Sequence, residues 1–121
     1  MPCKNISYKG HYAFTVTGFV TDHTVTPPGP LEPIAVVGIY EADGKGNITG
    51  SQTRSFKGAI FNETYSETYT VNLDCSGASV KTVTKPKIVT NWSFVILHGG
   101  KTILSVETDK DRVLTFRAER M

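Results

Sequence analysis

Along most of the chain apolar and polar residues alternate with a period of two, which sends successive side chains to opposite faces of a pleated strand. Tyr12, Phe14, Val16 and Val20 interleave with Ala13, Thr15 and Thr17 and define a first strand. The stretch 21–33, TDHTVTPPGPLEP, holds four of the six prolines. Proline removes ladder donors and fixes φ, so this stretch reads as the longest loop. Residues 34–42 form a second strand. Asp43-Gly44-Lys45-Gly46-Asn47 is rich in residues that accept the positive φ of a hairpin turn, and 48–57 returns as a third strand. Beyond Gly58, Phe61, Tyr65, Tyr69 and Val71 share one face of a fourth strand, with Thr64, Ser66, Thr68 and Thr70 on the other. Asp74-Cys75-Ser76-Gly77 is the next turn, and 78–85 is a fifth strand stopped by Pro86. The sixth, 88–98, sets Trp92, Phe94 and Ile96 against Val95 and Leu97; apolar on both faces, it is expected at a central position. Gly99-Gly100 and Asp109-Lys110-Asp111 then bound a seventh strand, 101–108, and an eighth, 112–120.

Sixteen Thr and eight Ser among the Val, Ile, Tyr and Phe suit pleated surfaces, and no Ala/Leu/Glu/Lys block offers a long helix. A chain of 121 residues makes a single domain. Eight short strands with no helix to cover a sheet face are best accommodated by closing the sheet on itself. The expected fold is therefore all-β, an eight-stranded antiparallel up-and-down barrel. The runner-up is a two-sheet β-sandwich, which needs crossovers between sheets, and only 21–33 is long enough to be an obvious one. An eight-stranded barrel is either filled by its own side chains or holds one small ligand, and function turns on that fork.

Charge narrows the partners. Thirteen Lys+Arg against eleven Asp+Glu give a net +2, scattered rather than striped, so nucleic acid is not expected. No apolar run reaches the roughly 20 residues of a membrane-spanning helix, so no membrane insertion is expected. His11, His23 and His98 stand in no nucleophile–base motif. The 43–47 segment begins like a calcium loop, but Lys45 takes a liganding position and Arg54 stands where the bidentate Glu belongs, so it reads as a turn and no metal site is expected. Without a phosphate loop, dinucleotide fingerprint or zinc spacing, no cofactor is expected.

The aromatic residues carry what remains. If Phe14, Tyr40, Tyr69, Trp92 and Phe94 point inward, their phenols and indole orient a mainly apolar ligand within an apolar wall. The preferred parity of the third strand puts Thr53 inside and Arg54 in solvent. With the opposite parity a guanidinium enters the barrel and needs a carboxylate from the protein or from a ligand. The first functional reading is a module that binds a hydrophobic small molecule, with 21–33 as a lid. The alternative is a cofactor-free cyclase or isomerase acting by positioning, with Tyr40 or Tyr69 as hydrogen-bonding candidates for catalysis. A structural secreted domain with a filled core is the third.

Cys3 and Cys75 are either a cystine, implying an oxidising compartment, or two separate thiols of a cytoplasmic protein. Asn5, Asn47, Asn62 and Asn91 each begin an N-x-S/T triplet. The segments CKNISYKGHYAFTVTG, AVVGIYEADGKGNITG, YTVNLDCSG and WSFVILHGGKTILSVETD resemble, in order and spacing, a group of small secreted bacterial β-proteins of unknown function. Cys3, the KGxYxF of Lys9-Gly10-His11-Tyr12-Ala13-Phe14, the Gly44-Lys45-Gly46-Asn47 of a GxGNxxG hairpin and the YTVNxDCxG of 69–77 take the group's positions. The resemblance implies a secreted or periplasmic mature form whose leader is replaced by Met1, and a Cys3–Cys75 disulfide; it implies no activity. The 21–33 stretch is longer than is usual in that group. A looser likeness, carried by the strand pair over 37–58, is to calycin-type and allene-oxide-cyclase-like barrels. It implies architecture alone.

Overall fold

A computed structural model describes residues 2–21 and 29–121. Its strands are β1 (Lys9–Thr21), β2 (Leu31–Asp43), β3 (Asn47–Phe56), β4 (Ala59–Val71), β5 (Ser76–Val83), β6 (Ile88–Leu97), β7 (Thr102–Glu107) and β8 (Arg112–Arg120). Each pairs antiparallel with the next, and β8 returns to β1 from Tyr12↔Arg120 to Val20↔Arg112. The protein is thus a closed eight-stranded up-and-down barrel, and the sandwich alternative falls away.

Three sequence expectations need correction. β2 starts at Leu31 and contains Pro33, so the connection after β1 is shorter than 21–33. Pro33 pairs with Phe19 of β1 but lies beyond Ile34↔Phe56, the last pair with β3, in an edge-like position where a missing donor is tolerated. Of the proposed lid, 21–33, residues 22–28 lie outside those described, while Thr21 belongs to β1 and Leu31 to Pro33 belong to β2. The sixth strand is not central, because a closed ring gives every strand two neighbours and one solvent face; its outer Val89 and Val95 are 50% and 43% exposed. Finally, Arg54 rather than Thr53 points inward. Thr53 donates to Asn62 Oδ1 on the outside (2.9 Å), while the Arg54 side chain is only 16% exposed.

The two ends of the barrel differ. At the end where β1 begins and β8 finishes, the lumen is filled by rings. Antiparallel pairing brings Tyr12 beside Tyr40, and a 3-10 turn over Asn5–Ser7 folds Tyr8 in as a plug. Tyr8 stands 4.8 Å from the Tyr69 ring and 5.4 Å from those of Tyr12 and Phe94, centroid to centroid. The plug is fastened by the Cys3–Cys75 disulfide (Cα–Cα 5.0 Å), by Cys3 N–H donating to the Leu73 carbonyl (3.0 Å), and by Val71 N–H donating to Asn5 Oδ1 (2.8 Å). Glycines make room for the rings: a Cβ on Gly77 would stand 2.3 Å from the Phe94 ring. Gly18 serves the β1–β8 seam, where a Cβ would meet the Val113 carbonyl oxygen at 1.9 Å. Toward the other end the inward positions of β1 and β2 are Val and Ile, and the lining leaves space.

Candidate ligand-binding cavity

That space is a cavity of about 320 Å³ toward the strand ends at Thr21, Phe56, Val83 and Arg112. Its apolar walls include Val16, Val20, Ile34, Val36, Val83 and Leu114. Lys81 and Trp92 line both this cavity and a void of about 10 Å³ beneath it, which places them at its floor. The small void is at the limit for a single water.

The polar part of the lining is built across β3, β4, β5, β6 and β8. Gln52 and Glu63 are register partners on β3 and β4, and the Gln52 amide donates to Glu63 Oε1 (2.9 Å). Arg54 closes a two-pronged pair on the same carboxylate, Nε to Oε1 at 3.0 Å and Nη2 to Oε2 at 2.8 Å, and lies 4.2 Å over the Phe61 ring. Such a fork is the geometry in which guanidinium and carboxylate bind most strongly. From β5, Lys81 Nζ donates to Gln52 Oε1 (2.5 Å) and sits 4.2 Å over the Tyr65 ring and 5.2 Å over that of Phe14. Trp92 Nε1 donates to Thr90 Oγ1 (2.8 Å). At the rim Arg112 Nε donates to Glu107 Oε2 (2.5 Å), whose side chain is wholly buried.

Burial and pairing pull these groups in different directions. Burial pushes Glu63 up, but the hydrogen bonds from Arg54 and Gln52 and the charges of Arg54 and Lys81 outweigh it and hold the carboxyl below its usual range. Burial lowers Lys81 to about 8 against the upward pull of Glu67, Glu63 and Glu107. Glu67, directly opposite Lys81 in the register, is raised by burial despite Ser79 and Lys81. Glu107 is raised by burial to about 7 even beside Arg112.

Of the residues singled out from the sequence, Arg54 and Trp92 line the cavity. Phe14, Tyr40, Tyr69 and Phe94 point inward but belong to the filled part of the lumen. The Tyr40 hydroxyl is bonded to that of Tyr8 (2.6 Å), and Tyr69 donates to the Tyr8 carbonyl (2.6 Å) while accepting from Gly44 N–H (2.9 Å). Burial raises both phenols, Tyr40 strongly. Both candidate catalytic hydroxyls therefore work as fasteners of the plug. His11 lies outside the barrel against Glu41 (3.0 Å), His98 is in the 3-10 turn after β6, and His23 is outside the described residues. Among the described residues no three His, Cys, Asp or Glu side chains come together as a metal site. The segment 43–47 is a turn, in which Asp43 Oδ1 accepts from Lys45 N–H (2.7 Å) and Asn47 N–H (3.0 Å).

The sequence reading missed Gln52, Glu63, Lys81 and Arg112. A signal existed: Glu63 and Glu67 share parity with Tyr65 and Tyr69, and Lys81 with Ser79 and Val83, so each is a charge on an inward face. Compared with known proteins, the chain matches no family, no curated relative and no solved structure.

Proposed function

We propose that the barrel binds one lipophilic small molecule in this cavity. The observation that carries the reading is the void itself: about 320 Å³, walled by aliphatic side chains and floored by a few polar ones. Ligand sites run from about 300 Å³ upward and combine apolar walls with a small number of placed polar groups. A barrel selected only for stability gains from filling such space, because each cavity forfeits packing. At about 30 Å³ per water-sized group, the volume suits a chain of about ten heavy atoms.

The cystine fits an oxidising, extracellular or periplasmic setting, and we read the protein as a secreted binder akin to the small bacterial β-proteins it resembles. Trp92 is the only tryptophan and lies at the cavity floor, so its emission reports occupancy. Titration with decanol, a neutral chain of matching size, should change that emission saturably at one-to-one stoichiometry. Mass spectrometry of natively purified protein should find a retained apolar compound. An emission unmoved by either decanol or decanoate, together with a ligand-free native mass, overturns the reading.

A further inference from the structure

The cavity's polar lining is one-sided. Both oxygens of Glu63 are taken, Oε1 by Gln52 and Arg54 and Oε2 by Arg54; Gln52 Oε1 is taken by Lys81, and Thr90 Oγ1 accepts from Trp92. Each of these acceptors has a partner, while donors are left over. Lys81 makes one hydrogen bond among the described residues, although an ammonium carries three N–H groups. Its remaining contacts are the faces of Tyr65 and Phe14. Among the described residues Arg112 makes a single side-chain bond, from Nε, and a guanidinium carries further N–H groups on its terminal nitrogens. Glu67 faces Lys81 across the β4–β5 ladder, yet no carboxylate among the described residues lies within ion-pair distance of the Lys81 amine. A buried ammonium without a counterion is costly, and a ligand that brings one relieves that cost on binding.

Resting on the binding function proposed above, we propose that the ligand is an apolar molecule ending in a carboxylate. The carboxylate sits on Lys81 Nζ at the floor, and the tail runs between the walls of Val16, Val20, Val36 and Leu114 toward the strand ends. The charges facing Lys81 are Arg54 on β3, Glu63 and Glu67 on β4, Glu107 on β7 and Arg112 on β8. Glu63 is locked to Arg54, and burial favours the neutral forms of Glu67 and Glu107. Glu107 is likewise committed to Arg112, so the carboxylates around Lys81 are engaged elsewhere or lie beyond ion-pair distance, and its amine is left for an incoming anion.

The test compares decanoate with decanol by Trp92 emission in the wild-type protein and in Lys81→Met. At pH 7 the wild type should bind decanoate at least tenfold more tightly than decanol, and Lys81→Met should bring the ratio to within about threefold. In the unaltered protein, which keeps the test independent of how the variant folds, decanoate affinity should fall at least fivefold from pH 7 to pH 9.5 while decanol affinity stays level. Equal wild-type affinities for decanoate and decanol overturn the carboxylate assignment and leave the apolar-ligand function standing. A tenfold preference that persists in Lys81→Met overturns the role of Lys81. No saturable response to either compound removes the binding function itself.

Discussion

Glu107 shows how one buried carboxyl sets a pH dependence opposite to the usual one. It ends β7 with its side chain wholly buried; Oε2 accepts from Arg112, and Oε1 has no hydrogen-bond partner among the described residues. Burial raises it from 4.5 to about 7. Between those values the folded protein holds a proton that the unfolded chain has released, so stability falls as pH rises through this window and levels off above it. Glu107→Gln, always neutral, lacks this dependence. Relative to that variant the wild type should lose up to about 3 kcal/mol of stability between pH 5 and pH 8, measured by urea denaturation at intermediate steps. Paired curves that stay parallel across the range refute the assignment. Lys81 acts in the other sense at higher pH: lowered to about 8, it makes stability rise from there toward its unfolded value, so the comparison stops at pH 8.

Among the elements, the segment before β1 does more than its length implies. The turn over Asn5–Ser7 brings Tyr8 into the lumen, and the Cys3–Cys75 bond closes 72 residues of chain around it. In the chain-entropy account, a loop of that size stabilises by about 4 kcal/mol. Replacing both Cys3 and Cys75 by Ala should lower the unfolding free energy by about that amount, and reductant should then have no further effect on the variant. Two free thiols in unreduced wild-type protein would sink the idea. The strands themselves were legible because alternation is a local signal: Tyr12 to Val20 and Phe61 to Val71 each display their buried face. Tyr8 was not legible, since it belongs to no alternating run and its place follows from the disulfide and the Asn5–Val71 bond. Nor was the direction of Arg54, which is decided by Glu63 nine residues away on another strand. Lys81 and Gln52, 29 residues apart, meet across β4, which separates their strands. Local pattern gives faces; partners across the lumen need register.

At the scale of the whole molecule the barrel divides into a ring-filled end and an end that holds the cavity, to which the proposed ligand is assigned. The division is written in the order of residues within strands. β1 runs from Tyr12 and Phe14 to Val16 and Val20, and β2 runs the other way from Ile34 and Val36 to Tyr40, so antiparallel pairing collects rings at one end and small aliphatics at the other. The ring end is closely packed, with Tyr12 fully buried and Ile103 1% exposed. Enlarging a side chain there forces neighbours from their rotamers, whereas the same enlargement at the cavity end occupies vacant space. Ile103→Phe should therefore cost about 1–3 kcal/mol. Val36→Phe, whose neighbours Val16 and Arg54 also line the cavity, should raise stability by about 1 kcal/mol and weaken decanol binding at least tenfold. Thermal unfolding and Trp92 titration of the same two variants measure both effects. If Val36→Phe destabilises as much as Ile103→Phe, the two ends are packed alike and the division is wrong. If it stabilises while binding is abolished, the valine has been kept small at the expense of the fold, as a ligand site requires.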